Sequence, residues 1–155
     1  MTTTRNAHAI PGTDDRVPRH TSDASNNRIL ERTLENLRLY VGASPADIEA
    51  RIAVLRREWD VERTLEANAS TLIMAGVALG VGADRRFFAL PALVAGFLFQ
   101  HAVQGWCPPL PVLRRLGVRT SAEIHAEILA LRILRDDFSI RARGAEAALS
   151  LALKQ

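Results

Sequence analysis

Between residues 67 and 107 the ionisable side chains are Asp84, Arg85 and Arg86, set together in the middle, then His101 and the thiol of Cys107. An element that is apolar on every face lies either in a deep core or in lipid. This two-part block, flanked by charged segments, therefore constrains the chain more than its averages do. At 155 residues the chain has the length of one domain with tails. Its 48% hydrophobic and 24% charged residues describe only a borderline soluble protein.

The block predicts two helices. Residues 67–82, with Leu72, Ile73, Met74, Val77 and Leu79, reach about 24 Å, short of the ~30 Å hydrocarbon core, and span it only by borrowing from their flanks or thinning the bilayer. Residues 87–106 reach about 30 Å, which is enough. Their large apolar set, Phe87, Phe88, Leu90, Leu93, Val94, Phe97, Leu98, Phe99 and Val103, contributes about −3 to −5 kcal/mol toward insertion. The linker, residues 82–86, is short enough to make the pair a hairpin. Arg51, Arg56, Arg57 and Arg63 precede it and Arg114, Arg115 and Arg119 follow it, against Arg85 and Arg86 in the linker. The excess of arginine on the flanks puts both termini in the cytoplasm and the chain in the cytoplasmic membrane.

The flanks read as helices too. Residues 1–25 are polar and aperiodic and read as a disordered tail. They contain no apolar run of the kind a secretory signal needs, so the internal hairpin is what targets the chain. Asn26 or Asn27 caps a helix to Tyr40 with an apolar stripe of Leu30, Leu34 and Leu37, stopped by Gly42. Ser44, Pro45 and Asp47 open a second, with Ile48, Ile52, Leu55 and Trp59 on one face. The short connector folds residues 26–64 into an antiparallel pair. After the hairpin, Pro108, Pro109 and Pro111 break the helix. Thr120 and Glu123 form a capping box for a last amphipathic helix bearing Ile124, Ile128, Leu131, Leu134 and Phe138, and the Ala- and Leu-rich residues 145–153 extend it. The expected fold is all-α: a two-helix transmembrane hairpin within residues 65–120, flanked by amphipathic cytoplasmic helices at 26–64 and 121–155.

Charge and composition narrow the function. Net charge is +3, and all but one of the 20 basic residues are arginine, Lys154 being the exception. They form no basic run, and Glu49, Glu58, Asp60, Glu62 and Glu66 are interleaved with them, which argues against a nucleic-acid partner. Arg56, Arg57, Arg63, Arg114, Arg115 and Arg119 instead flank the apolar block, where anionic lipid headgroups are the natural partner. One cysteine excludes an intramolecular disulfide and any CxxC pair. The sequence has no glycine-rich phosphate loop with its lysine, no nucleophile elbow and no pair of metal-spaced ligands. No catalytic constellation, cofactor or metal is therefore expected.

Two sets of residues stand out within the block. Gly76 and Gly80 on the first segment, and Ala92 and Gly96 on the second, are small residues at helical spacing, which let helix backbones approach closely in lipid. They predict a contact within the hairpin or between two copies. Gln100, Gln104 and Cys107 are spaced i, i+4, i+7 as one polar stripe. Either they build a thiol site, with Arg114 and Arg115 near enough in sequence to lower the thiol pKa, or the amides satisfy backbone groups freed where the prolines end the helix. On one continuous helix His101 lies roughly 240° round from Cys107, so the two form no dyad there.

The run Gly105-Trp106-Cys107-Pro108-Pro109-Leu110-Pro111, followed by Leu116-Gly117-Val118-Arg119-Thr120, resembles the ending of the YgaP-like transmembrane domain, a family of small bacterial inner-membrane hairpins closing on G-x-C-P and then L-G-[IV]-x-T. The resemblance covers about residues 60–120. It implies a two-helix inner-membrane fold, and in members joined to a rhodanese domain a link to sulfane sulfur. Here the one cysteine lies in the hairpin motif, so any sulfurtransferase would be a separate protein. Three readings stand: a membrane-anchored interaction module that forms a homo-oligomer; a Cys107 relay for sulfur or a small-anion path; and a soluble all-α bundle with the hairpin as its core.

Overall fold

The structure, a computed structural model, describes residues 12–13 and 15–137. Within them the chain runs through α1 (Arg16–Arg19), α2 (Asp23–Leu39), α3 (Pro45–Leu55), α4 (Val61–Gly82), a 3-10 turn (Arg85–Phe88), α5 (Ala89–Gln104), α6 (Leu110–Arg115) and α7 (Ser121–Leu134), with no strand among the described residues. Two parts result: an antiparallel hairpin of α4 and α5, and a base formed by the remaining helices around the foot of α4.

The base has two small apolar clusters. Ile48, Ile52 and Leu55 of α3 pack on Ile124, Ile128 and Leu131 of α7, with Leu37, Tyr40 and Ala43 at their margin. Val17, Val61, Leu65, Cys107 and Leu110 form the second, which ties α1 to the foot of α4 and to the turn after α5. Buried arginines join the rest. Arg114, 1% exposed, bonds Glu123 at 2.6 and 2.7 Å, Asn26 at 3.0 Å, Thr21 at 3.2 Å and the Val118 carbonyl at 3.0 Å. Arg119 bonds Glu58 through two nitrogens and also Glu127, whose other oxygen accepts from Arg51. Each buried charge thus has a partner and further hydrogen bonds, the condition on which burial is tolerable.

Several expectations need correction. The tail was expected to be disordered to residue 25, but α1 packs: Val17 is buried, Arg16 Nη1 donates to the Ala102 carbonyl at 2.8 Å, and Ser22 caps α2 in place of Asn26 or Asn27. A carbonyl near the end of α5, without an intrahelical partner, is what α1 answers. In α2 the apolar stripe does not decide which face turns inward. Ile29 is buried, while Leu30 and Leu34 are 57% and 44% exposed. Asn26 and Thr33 of the inner face serve Arg114 and Arg119, and this polar requirement rotates Leu30 and Leu34 outward.

Ser44 caps α3 as the sequence indicates, but α3 ends at Leu55, so Trp59 leaves its stripe and stands 50% exposed. The capping box of Thr120 and Glu123 opens α7. Leu134 is exposed, and Phe138 and residues 145–153 lie outside the described residues.

The first apolar helix starts earlier than the apolar pattern alone suggests. Asp60 accepts from the Arg63 backbone N–H at 2.8 Å and begins a helix of 22 residues, about 33 Å long. Its polar residues satisfy themselves along its length: the Thr64, Asn68, Ser70 and Thr71 side chains each donate to the carbonyl four residues back. Val61–Gly82 and Arg85–Gln104 are both long and apolar enough to cross a membrane, and only 22% and 6% of their most apolar stretches are buried.

Candidate functional site

The foot of the hairpin is organised by Gly105. It ends α5 in the left-handed conformation, φ +82°, and a Cβ there would lie 2.5 Å from the Arg16 backbone, so both conformation and space call for glycine. The chain then turns through Trp106 and the prolines, bringing Cys107 under the hairpin at 3% exposure. The helix is thus not continuous from His101 to Cys107, and the separation expected on a continuous helix does not apply. Both residues line one cavity of about 420 Å³. Leu65, Asn68, Ala69 and Leu72 of α4 form one wall, and Val94, Phe97, Leu98 and His101 of α5 the other. Cys107, Pro108 and Pro109 complete it.

The expected polar stripe is broken by the same turn. Gln100 is half-buried and Gln104 exposed, and neither lines the cavity with Cys107. Nor does arginine activate the thiol. Arg114 is committed to Glu123, Asn26 and Thr21, and Arg115 is exposed. Burial pushes the Cys107 thiol above its ordinary value, opposed in part by the Leu110 backbone N–H. The site therefore offers a neutral thiol rather than a nucleophilic thiolate. His101 is 4% exposed, and neither ring nitrogen has a hydrogen-bond partner. Beside it Arg16 pairs with Glu62 at 3.2 Å, leaving Arg16 Nε and Glu62 Oε2 buried without partners. Among the described residues no group of three His, Cys, Asp or Glu is placed to hold a metal.

The helix-packing residues divide. A Cβ on Gly76 would meet Pro91 Cδ at 2.5 Å, and one on Gly80 would meet the Phe88 ring at 2.9 Å. These glycines let α4 close on the start of α5. Ala92 and Gly96 are exposed, and nothing lies within 4 Å of a Cβ on Gly96, so the hairpin contact uses the small residues of α4 but not those of α5. The six flanking arginines divide as well. Arg114 and Arg119 are buried ion-pair residues, a correction to their placement at headgroups. Arg56, Arg57, Arg63 and Arg115 remain on the surface, with Arg56 3.9 Å from Glu49 and the Arg63 guanidinium 4.5 Å above the Trp59 ring.

What the sequence reading missed is the meeting of His101 with Cys107 on one cavity. The signal was present in Gly105, a glycine just before the Cys-Pro-Pro turn. Comparison with known protein families, with curated proteins and with solved structures gives no match.

Proposed function

We propose that this chain is an inner-membrane anchoring and interaction module of the YgaP-like hairpin type, with the hairpin in the bilayer and the base on its cytoplasmic face. The observation that carries this reading is the low burial of α4 and α5. A core helix of a soluble protein is covered by its own chain, whereas Met74, Val81, Leu93 and Phe99 are 65%, 79%, 58% and 72% exposed here. Exposed apolar surface on this scale calls for an apolar surround. Surface arginines on the base, Arg57 and Arg115 among them, supply the cytoplasmic positive charge, and Arg85 and Arg86 mark the outer turn. The uncovered Ala92 and Gly96 give α5 a face on which a second copy can pack closely.

The buried, neutral Cys107 favours the anchoring module over a thiol relay. A carbonate wash of membranes tests the setting, combined with an impermeant thiol reagent on Arg85→Cys and Arg115→Cys in a Cys107→Ser background. Retention in the membrane, with labelling of position 85 from outside and of position 115 only after permeabilisation, is expected. Release of the protein into the wash overturns the reading in favour of a soluble assembly.

A further inference from the structure

We infer that the outer face of α2 is a dimer interface, on which the same face of a second copy packs antiparallel. Leu30 and Leu34, 57% and 44% exposed, share one stripe with the half-buried Leu37. The polar inner face of α2 is taken up with Arg114 and Arg119, so these two leucines face away from the chain's own core. Single exposed leucines need no explanation, but an apolar stripe at helical spacing marks a helix that packs on another. With 17 residues, about 25 Å, α2 is long enough for such a contact.

The charges beside the stripe name its occupant. Glu31 precedes Leu34 by three residues and Arg38 follows it by four, so both border the leucines along one edge. Both are exposed, and neither belongs to an ion pair among the described residues. A two-fold axis at Leu34 brings Glu31 over Arg38 of the second copy and Arg38 over its Glu31, so both pairs form at once, while Leu30 comes over its Leu37. A parallel pairing instead sets Glu31 against Glu31 and Arg38 against Arg38.

Lipid is the poorer occupant. Helices that lie on anionic membranes carry an excess of Lys and Arg, whereas α2 has Asp23, Glu31 and Glu35 against Arg28, Arg32 and Arg38. The interface lies in the base, apart from the exposed face of α5, and does not depend on where the hairpin resides.

The test is sedimentation of the full chain in detergent at several protein-to-detergent ratios. The parent should dimerise reversibly. Glu31→Arg or Arg38→Glu, each of which turns two attractive pairs into two repulsive ones, should weaken the dimer about tenfold. The double variant carrying both should return to within about twofold of the parent. Leu34→Asp should leave monomers whose far-UV dichroism matches the parent. In a Cys107→Ser background, Leu34→Cys should give a disulfide-linked dimer on mild oxidation, whereas Asn27→Cys, whose two copies lie about 20 Å apart in the antiparallel pair, should not.

A monomeric parent would overturn the proposal, as would a dimer that both charge reversals leave unchanged or that the double variant fails to restore. A dimer abolished by Gly96→Ile and intact in Leu34→Asp would overturn it by placing the contact on α5. A chain released by the carbonate wash that still dimerises through Leu34 would sink the membrane reading and keep this interface. One retained in membranes that stays monomeric would do the reverse.

Discussion

The base and the hairpin meet at Val61 and Leu65 but are held by different forces. In the base, two clusters of a few aliphatic side chains are bound together by Arg114 and Arg119, whose guanidinium groups sit among Glu58, Glu123 and Glu127. In the hairpin, from Ala67 to Gln104, Asp84, Arg85 and Arg86 are the charged residues and all three lie at the turn, while Gly76 and Gly80 of α4 come close to Pro91 of α5 and to Phe88 of the 3-10 turn. A buried ion pair depends on every member being present. A glycine contact in an apolar surround depends on shape alone. The two parts should therefore respond to different perturbations.

The largest effect is expected at Glu127, wholly buried between Arg51 and Arg119. Glu127→Ala leaves Arg119 with Glu58 as its one carboxylate partner and deprives Arg51 of its carboxylate. Removing one partner of a buried pair costs about 3–5 kcal/mol. Urea unfolding in a Trp106→Phe background, followed by Trp59 fluorescence, should show the base melting at lower denaturant, while far-UV dichroism retains the hairpin helices in detergent. Loss of both together would mean that the hairpin depends on the base, and the division drawn here would fall.

A smaller effect, confined to the hairpin, is expected at Gly76. Its Cβ would lie within 2.5 Å of Pro91, so Gly76→Ala forces α4 and α5 apart at about 1–3 kcal/mol. Gly96→Ala meets nothing within 4 Å and should be neutral or favour the helix by up to about 1 kcal/mol. Thermal unfolding of the two variants in the same detergent should rank Gly76→Ala well below Gly96→Ala. Equal behaviour would remove the one-sided contact.

Local signals were readable wherever a residue acts on its own backbone. Ser44 and Thr120 cap the helices their spacing announced, Gly105 and the prolines end α5, and the apolar block yields two long helices. The sequence was less informative where one element answers a need of another. Leu30 and Leu34 form the more obvious stripe of α2, yet Asn26 and Thr33 decide its orientation because Arg114 and Arg119 need them, and those arginines lie some ninety residues away. Val17 and Arg16 looked like tail residues until the end of α5 gave them a carbonyl to bond. The candidate site was hidden for the same reason: Gln100, Gln104 and Cys107 share a face only if the helix continues, and His101 joins Cys107 only because it stops.

Acid should separate the two parts more gently. Burial raises the Glu123 carboxyl, but the hydrogen bonds from Arg114 and the Thr120 backbone outweigh it and hold the group below its ordinary range. Asp137 and Glu49 are lowered chiefly by hydrogen bonds from Arg135. With folded values depressed, the unfolded chain binds more protons as the pH falls. The stabilisation is then complete above about pH 5 and is lost progressively below about pH 4. Asp84 is the one carboxylate between residues 67 and 104, and it lies at the turn. Lowering the pH from 7 to 3 should therefore lower the urea midpoint of the base and leave hairpin helicity nearly constant. A parallel decline of both would show that the hairpin borrows its stability from the charged base.

The smallest effect lies on the seam. Arg63 stacks on Trp59 at 4.5 Å, with both residues exposed, so Arg63→Ala should cost about 0.5–1 kcal/mol. The substitution spares the cap, because Asp60 is bonded by the backbone N–H of residue 63 and not by its side chain. Asp60→Ala, which removes the cap itself, should cost about 0.5–2 kcal/mol and shorten α4 from its first turn. If Arg63→Ala proves the costlier of the two in membranes but not in detergent, its guanidinium is held by lipid headgroups as well as by the indole. That result would place the boundary between base and hairpin at the bilayer surface, with Trp59 and Arg63 marking it.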